Sequence, residues 1–335
     1  MERRCSERAS ALHAVTKPVL PPVAMDRWEV FLRKFAERVS LANEGHLTVR
    51  CWKSSTLKRE ITSITESSRD LLRRTFPPAH VIIDQLKRMG WVHSLTMQQS
   101  AGAESDEFLF VGLESFGDEP ISPLELLQAY LPDGVVCYFS AIGYYELTTQ
   151  LVAHHHIARR IKPNVGQDVR VATPTKPGRS VTKRNPLGTE IFRIGAVGCH
   201  LNRRDVSLVP GIQLRVVSPR CWLRITTLEQ TLLDALMQPT RCGGESIALE
   251  AWETGVRRMD PDRMAKHLLM IQREELDRRV GAVLELMGAD FSRSDLGRHL
   301  LAVQNRLRTI EVVPIPLLTG LEFPETNPVW KVRIP

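Results

Sequence analysis

The sequence predicts an α+β fold, in which an N-terminal winged helix-turn-helix precedes a larger mixed α+β domain. Its 335 residues exceed one typical domain of about 150. Apolar residues at helical spacing fill the first third, and short β-branched runs followed by renewed helical spacing fill the rest. The predicted divisions are a flexible basic leader (residues 1–25), a winged-helix unit (26–113), a linker (114–121) and the larger domain (122–335).

The first predicted helix starts near Trp28 and carries an apolar stripe. Asp26 is its expected N-cap, and Gly45 ends it. The stripe follows a spacing of three and four residues: Trp28, Phe31, Leu32, Phe35, Val39 and Ala42. An extended piece over residues 47–52 follows, then a stretch over residues 54–65 that fits no element well.

The next elements complete the winged-helix pattern. A second helix is expected over residues 68–75 and a third over 78–89, where Pro78 suits the first turn and Gly90 ends the helix. Two strands, residues 91–95 and 108–111, flank a polar loop. A helix propped in this way fits the DNA major groove, which is about 12 Å wide, and the hairpin reaches the backbone or the minor groove.

The candidate DNA-binding residues lie on the second and third helices. Gln85 suits an adenine edge, and Lys87 and Arg88 suit phosphate or guanine, although Asp84 on the same face opposes phosphate. The full set is His80, Gln85, Lys87 and Arg88 on the third helix, with Arg69, Arg73 and Arg74 on the second for backbone contacts. The alternative is that these are ordinary solvated helix faces.

The larger domain begins with a clear helix start. Ser122-Pro123-Leu124-Glu125 combines an N-cap, a first-turn proline and a capping glutamate, and that helix ends before Pro132. A further helix is expected over residues 140–150 and a sheet region over 157–217. Thr226-Thr227-Leu228-Glu229 forms a second capping box. Helices from Asp260-Pro261, over 274–287 and over 294–307, then strands over 310–315 and 329–334, complete the chain.

Charge is segregated along the chain. The net charge is +7, but residues 151–225 hold fourteen Lys and Arg against three Asp and Glu, a net of +11. The cluster that stands out is Arg159, Arg160, Lys162, Arg179, Lys183, Arg184, Arg203 and Arg204. It is interpreted either as a second surface for polyanions or as a solvated face.

Motifs of catalysis and metal binding are missing from the sequence. The six cysteines form no Cys-x-x-Cys pair, which favours reduced thiols in a cytoplasm. The adjacent imidazoles of His154, His155 and His156 diverge on any regular element, so they are expected to be solvated or to face phosphate. Phosphate-loop, nucleophile-elbow and His-Glu-x-x-His motifs are absent. We expect a protein without enzymatic activity, cofactor, metal site or membrane span. Metal-dependent catalysis is a minor alternative.

Several segments together resemble the AbiEi family, the antitoxins and transcriptional regulators of type IV (abortive-infection) toxin-antitoxin systems. The residues that carry the resemblance are Phe139-Ser140-Ala141, Glu146-Leu147, Gln150, Ile225-Thr226-Thr227-Leu228-Glu229-Gln230-Thr231-Leu232-Leu233-Asp234, Pro239, Gly243-Gly244, Leu276-Asp277-Arg278-Arg279-Val280-Gly281, Leu286 and Gly288. They span much of residues 135–290.

The resemblance implies a DNA-binding winged helix followed by an antitoxin domain. Such proteins repress their own operon by binding inverted repeats, and they counteract a nucleotidyltransferase-like toxin. The expected partners are therefore operator DNA and a cognate toxin, and the resemblance supplies no catalytic residues. The alternative is a protein-binding module that neutralises an acidic partner through the basic central segment without binding DNA.

Overall fold

The computed structural model describes residues 27–72, 75–95, 98–99, 108–111, 121–162 and 185–335. The predicted leader and nearly all of the predicted linker therefore lie outside the described residues. The helices in the described ranges are α1 (Arg27–Ser40), α2 (Ser54–Leu72), α3 (Ala79–Arg88), α4 (Pro123–Tyr130), α5 (Phe139–Tyr144), α6 (Leu228–Met237), α7 (Glu245–Gly255), α8 (Pro261–Ile271), α9 (Glu274–Leu286) and α10 (Asp295–Thr309). None of these helices is both long and apolar enough to span a membrane.

The described strands form three sheets. They are β1 (Cys51–Lys53), β2 (Val92–Leu95), β3 (Gln98–Gln99), β4 (Phe108–Val111), β5 (Val135–Val136), β6 (His154–Ile161), β7 (Thr189–Ile194), β8 (Val197–Asp205), β9 (Ile212–Ser218), β10 (Cys221–Thr226), β11 (Ile315–Pro316), β12 (Glu325–Asn327) and β13 (Val332–Ile334). The N-terminal sheet has the order β1-β4-β2, the large sheet β3-β7-β8-β6-β5-β10-β9, and the C-terminal sheet β11-β13-β12. The predicted mixed α+β class is confirmed.

The N-terminal unit has the element order α1-β1-α2-α3-β2-β4 around its own apolar core. Phe31 and Phe35 from α1, Leu57 from α2 and Ile82 from α3 are fully buried in that core. The expectation of a short second helix over residues 68–75 is wrong, because α2 already starts at Ser54. The residues at its start are weak helix formers, so this helix is stabilised mainly by burial of its apolar stripe.

Backbone hydrogen bonds join the N-terminal unit to the large sheet in two places. Beside β10, the Leu47 carbonyl oxygen accepts from Trp222 N at 2.6 Å, and Val49 N donates to the Arg220 carbonyl oxygen at 3.2 Å. Farther along the chain, β3 pairs antiparallel with β7. Arg50, the residue before β1, forms an ion pair with Glu125 of α4 at 2.7 Å. The unit therefore lies directly against the larger domain.

Helices cover both faces of the large sheet. Leu127 of α4, Ile157 of β6 and Phe192 of β7 belong to one apolar cluster, which also includes Phe108 of β4. The other cluster includes Val136 of β5 together with α5 to α10 and the C-terminal sheet. Each sheet face thus buries its own apolar layer.

The predicted helix starts in the larger domain are mostly confirmed. The side chain of Ser122 accepts from Leu124 N, and that of Asp260 accepts from Asp262 N and Arg263 N. The cap of α6 lies one residue later than expected, because Thr227 and not Thr226 accepts from Gln230 N.

Three other expectations were wrong in extent. The helix expected over residues 140–150 is only α5, which ends at Tyr144. The strand expected over 310–315 is reduced to Ile315–Pro316, and that over 329–334 to Val332–Ile334, while the intervening β12 was not foreseen. Part of the predicted sheet region, residues 163–184, lies outside the described residues.

Candidate nucleic-acid interface

Helix α3 lies on the surface of the N-terminal unit with one buried and one exposed side. Ile82, Ile83 and Leu86 are buried, whereas Val81 is 41% exposed. Pro78 precedes the helix, and Gly90 has a φ of +72°, a left-handed conformation that suits glycine after a helix end. The predicted bounds of this helix are thus confirmed to within one residue.

The predicted contact residues on α3 lie on its solvent side. His80 and Arg88 are exposed, and Gln85 and Lys87 are partly exposed. Lys87 and Arg88 fall in the last helical turn, where positive charge is favoured by the helix dipole. Asp84 is exposed on the same side, so the face carries one carboxylate among its basic and amide groups.

The basic residues predicted on the preceding helix are described only in part. Arg69 belongs to α2, but its side chain is outside the described residues, as are Arg73 and Arg74 altogether. The earlier part of α2 packs against the buried side of α3, since Leu57 and Ile61 share the apolar core with Ile82. This packing fixes the position of α3 on the unit.

Part of the segment that follows β2 is paired with the large sheet. Gln98 and Gln99 form β3, in register with Arg193 and Phe192 of β7. The loop expected between the two hairpin strands is therefore attached to the edge of the large sheet at its start, which orients the hairpin relative to the larger domain. The rest of that loop, residues 100–107, lies outside the described residues.

The predicted basic surface is exposed for four of its members. Arg159, Arg160, Lys162 and Arg203 reach solvent near the ends of β6 and β8. These strands run parallel with Arg159 in register with Arg203, so the two guanidinium groups emerge side by side. Arg179, Lys183 and Arg184 lie outside the described residues.

Arg204 was wrongly assigned to that surface. Its side chain is 6% exposed, and it donates to Asp234 from Nη1 at 2.6 Å and from Nη2 at 2.5 Å. The guanidinium also lies 4.8 Å from the centre of the Tyr138 ring. Burial disfavours the charge, but the Asp234 carboxylate outweighs this effect and raises the pKa of Arg204. Arg204 therefore belongs to the interior of the domain, although it lies in a basic stretch of the sequence.

A histidine cluster lies near this ion pair. His154 and His156 share one side of β6, and His200 is the register partner of His156 on β8. The His156 ring centre is 4.8 Å from that of His154 and 5.4 Å from that of His200. The adjacent His155 points away and contacts Ser140 Oγ at 3.3 Å from Nδ1. Adjacent imidazoles diverge as expected, yet alternate residues on β6 and one residue on the neighbouring strand bring three rings together.

The expectation that these histidines are solvated is wrong for His156, which is fully buried, and His200 beside it is buried as well. Burial and neighbouring imidazoles lower the pKa of His154 to about 4 and that of His156 to about 2. Burial likewise lowers the pKa of His200. The cluster is therefore neutral at physiological pH. Among the described residues, no set of three or more His, Cys, Asp or Glu side chains is arranged to hold a metal ion.

The cysteines in the described ranges are structural. Cys51, Cys137, Cys199, Cys221 and Cys242 are all buried as free thiols. Burial raises the pKa of the Cys137 and Cys199 thiols to about 12, so neither is a thiolate at neutral pH.

Several cationic groups of the larger domain come together without any signal in the sequence. Arg279 of α9 is only 8% exposed, and Arg273 lies immediately before that helix. Both line one cleft with Arg203, which is distant in sequence. Only the fold shows that these three side chains are neighbours.

No protein-family model and no curated protein matches the chain. Among solved structures, the chain is similar to the crystal structure of the RV2827C protein from Mycobacterium tuberculosis, at 15% sequence identity and a TM-score of 0.46. The similarity covers 89% of this chain and 90% of that chain. A similarity of this size carries no information about what either protein binds.

Proposed function

We propose that this protein is a DNA-binding transcriptional regulator and the antitoxin of a type IV toxin-antitoxin system. In this proposal it represses its own operon and counteracts a nucleotidyltransferase-like toxin. The DNA-binding half rests chiefly on one observation, the exposed side of α3 with His80, Gln85, Lys87 and Arg88. The antitoxin half rests on the resemblance to AbiEi antitoxins.

The N-terminal element order supports a winged helix. In such folds two helices precede a hairpin, and the second of them enters the major groove. Here α2 and α3 take those places, and β2 pairs antiparallel with β4 as the hairpin. We propose that α3 is the recognition helix, with Gln85 reading a base edge and Arg88 binding phosphate or guanine.

The segments that resemble AbiEi antitoxins lie mainly in the interior of the larger domain. Phe139, Ala141, Leu232 and Asp234 are almost completely buried. Such residues specify packing more directly than they specify a binding surface. The resemblance therefore supports a shared domain architecture, and the antitoxin activity needs its own test.

DNA binding is tested by gel-shift titration of the purified full-length protein. The probes are the DNA upstream of its own gene and a scrambled duplex of equal length. We expect tighter binding to the upstream DNA, and we expect Gln85→Ala to narrow that preference by about 1–3 kcal/mol. Arg257→Ala, an exposed arginine on the larger domain, is the matched control. Equal affinity of the wild-type protein for both duplexes would argue against an operator-specific regulator.

The antitoxin half is tested by co-expression with the toxin encoded in the adjacent reading frame. We expect growth to be restored by the wild-type protein. If the adjacent gene product is shown to arrest growth, and the folded protein binds its operator without restoring growth, the antitoxin half of the proposal is contradicted and the DNA-binding half is not.

A second candidate function is neutralisation of an acidic partner protein without DNA binding. The observation in its favour is the exposed group of Arg159, Arg160, Lys162 and Arg203. The variant Arg159→Glu/Arg160→Glu/Lys162→Glu distinguishes the candidates, and it leaves the buried Arg204 in place. This function is favoured if the wild-type protein rescues growth without binding the operator and the variant loses rescue. Retained rescue by the variant argues against it.

A further inference from the structure

A cleft in the larger domain brings together arginines from separate parts of the chain. It has a volume of about 250 Å³ and lies between the end of β8, the end of α6 and the start of α9. The cationic residues that line it are Arg203, Arg204, Arg273 and Arg279. Tyr138, Gln238 and Thr319 supply polar and aromatic lining.

Only one of these four arginines has its charge balanced by a close carboxylate. Arg204 is held by Asp234. In the part of the chain that the structure describes, Arg203 and Arg273 take part in no side-chain hydrogen bond or ion pair, and both are exposed. Two flexible cationic side chains are therefore free at the rim of the cleft.

Arg279 supplies a cationic group inside the cleft. It is more than nine-tenths buried, and its Nε donates to the Pro316 carbonyl oxygen at 2.9 Å. Within the described residues this is the only hydrogen bond of its side chain, so both Nη groups lack a protein acceptor. Burial lowers the pKa of Arg279 and the exposed Glu275 offsets this only in part, so the two Nη groups, which face the cleft, are available to a bound anion.

Most acidic groups nearby are directed elsewhere. Glu274 lies 3.7 Å from Arg306, and Asp277 accepts from His299 at 2.9 Å. Asp205 accepts from the backbone N and the hydroxyl of Ser207. Glu275 is the remaining carboxylate in the lining, and it is exposed. Besides the paired Arg204, three arginines therefore line the cleft against the two carboxylates of Asp205 and Glu275, which leaves a net positive charge.

The start of α9 borders the same cleft. Arg273 is the N-cap of this helix and makes no side-chain capping hydrogen bond. The first turn carries the carboxylates of Glu274, Glu275 and Asp277, which already balance the positive end of the helix dipole. The arginines, and not the helix end, therefore give the cleft its affinity for an anion.

We propose that this cleft binds the phosphate group of a small molecule, with Arg279 as the buried anchor and Arg203 and Arg273 closing over it. Guanidinium groups bind phosphate oxygens through paired, charge-assisted hydrogen bonds, and three of them around one group give a strong site. The cleft lies in the larger domain and not on α3. It therefore gives that domain a ligand site of its own, separate from the proposed DNA contacts.

The test is isothermal titration calorimetry of the full-length protein with three probes at constant ionic strength: inorganic phosphate, ribose 5-phosphate and ribose. We expect both phosphates to bind saturably and ribose not to bind. Equal affinity for the two phosphates identifies the free ion as the ligand, whereas tighter binding of ribose 5-phosphate identifies a phosphate monoester. Absence of saturable binding by either phosphate would overturn the proposal.

Variants connect that binding to the cleft. Arg203→Ala/Arg273→Ala changes only exposed side chains, and we expect it to weaken phosphate binding at least about tenfold, as removal of charged hydrogen bonds does. Arg279→Lys keeps the charge but not the paired geometry, and we expect a similar weakening. Arg257→Ala and Arg88→Ala should bind phosphate as the wild type does. Unchanged affinity in the double variant would refute the site, and this outcome is independent of whether α3 binds DNA.

Discussion

Arg204 and Asp234 form a buried, doubly hydrogen-bonded ion pair that joins β8 to α6. The two oxygens of the carboxylate accept from Nη1 and Nη2 at 2.6 and 2.5 Å, and Gln230 Nε2 donates to the same carboxylate at 2.9 Å. Neither member of the pair has appreciable exposure. The pair fixes the helix against the sheet next to the histidine cluster.

Removing one member of this pair should destabilise the protein strongly. We expect Asp234→Ala to lower the free energy of unfolding by about 3–5 kcal/mol, because it leaves the Arg204 charge buried without a partner. Urea unfolding followed by circular dichroism measures the change. The neighbouring exposed Arg203→Ala should stay within about 0.5 kcal/mol of the wild type. Similar effects of the two substitutions would contradict the buried assignment of Arg204.

Acid should destabilise the fold through the histidine cluster. In the folded protein the pKa of His154 is lowered to about 4 and that of His156 to about 2, against an ordinary value of 6.5. The unfolded chain therefore binds more protons than the folded one below pH 6.5, and stability is lost as the pH falls from about 6.5 towards 4. Urea midpoints measured between pH 7.5 and 5 should fall steadily. A midpoint that stays constant over this interval would rule out the neutral, buried cluster.

Gly281 lies so close to Trp330 that we expect a larger side chain at position 281 to destabilise the protein. A Cβ at position 281 of α9 would lie 2.4 Å from three atoms of the Trp330 ring, which itself donates from Nε1 to Glu285 at 2.9 Å. We expect Gly281→Ala to reduce stability by about 1–3 kcal/mol through overpacking. Thermal and urea unfolding measure the change. Glu253→Ala, at an exposed helical position, is the control, and a neutral effect of both would contradict this packing.

The elements that could be predicted from the sequence are those whose stripe of apolar residues and terminal residues agree with the way they pack. Helix α3 has an apolar stripe, a proline before its first residue and a glycine after its end, so its bounds could be predicted closely. Only the end of helix α2 was predicted, because its Ser- and Thr-rich start has weak helix propensity. The hydroxyls of Thr62 and Ser68 bond back to carbonyl oxygens four residues earlier, and burial of Leu57 and Ile61 provides the stability.

Long-range neighbours could not be predicted from the sequence. Arg204 looked like one more member of a basic run, since its partner Asp234 follows 30 residues later and meets it only through the fold. His200 joins His156 because β6 and β8 pair in parallel register. Arg203, Arg273 and Arg279, which line the cleft proposed to bind phosphate, are likewise brought together only by the fold. Charge along the chain indicates a cationic protein but not which side chains reach solvent.

The exposed side of α3 is the surface proposed to bind DNA, and the salt dependence of binding tests it most directly. Fluorescence anisotropy with the upstream duplex, measured over a series of NaCl concentrations, gives the slope of log affinity against log salt. We predict a steep negative slope for the wild type and for Arg257→Ala. In Lys87→Ala/Arg88→Ala the slope should be shallower by about one for each phosphate interaction that the substitutions remove. A flat wild-type slope, or an identical slope and affinity in the double variant, would contradict DNA binding through α3.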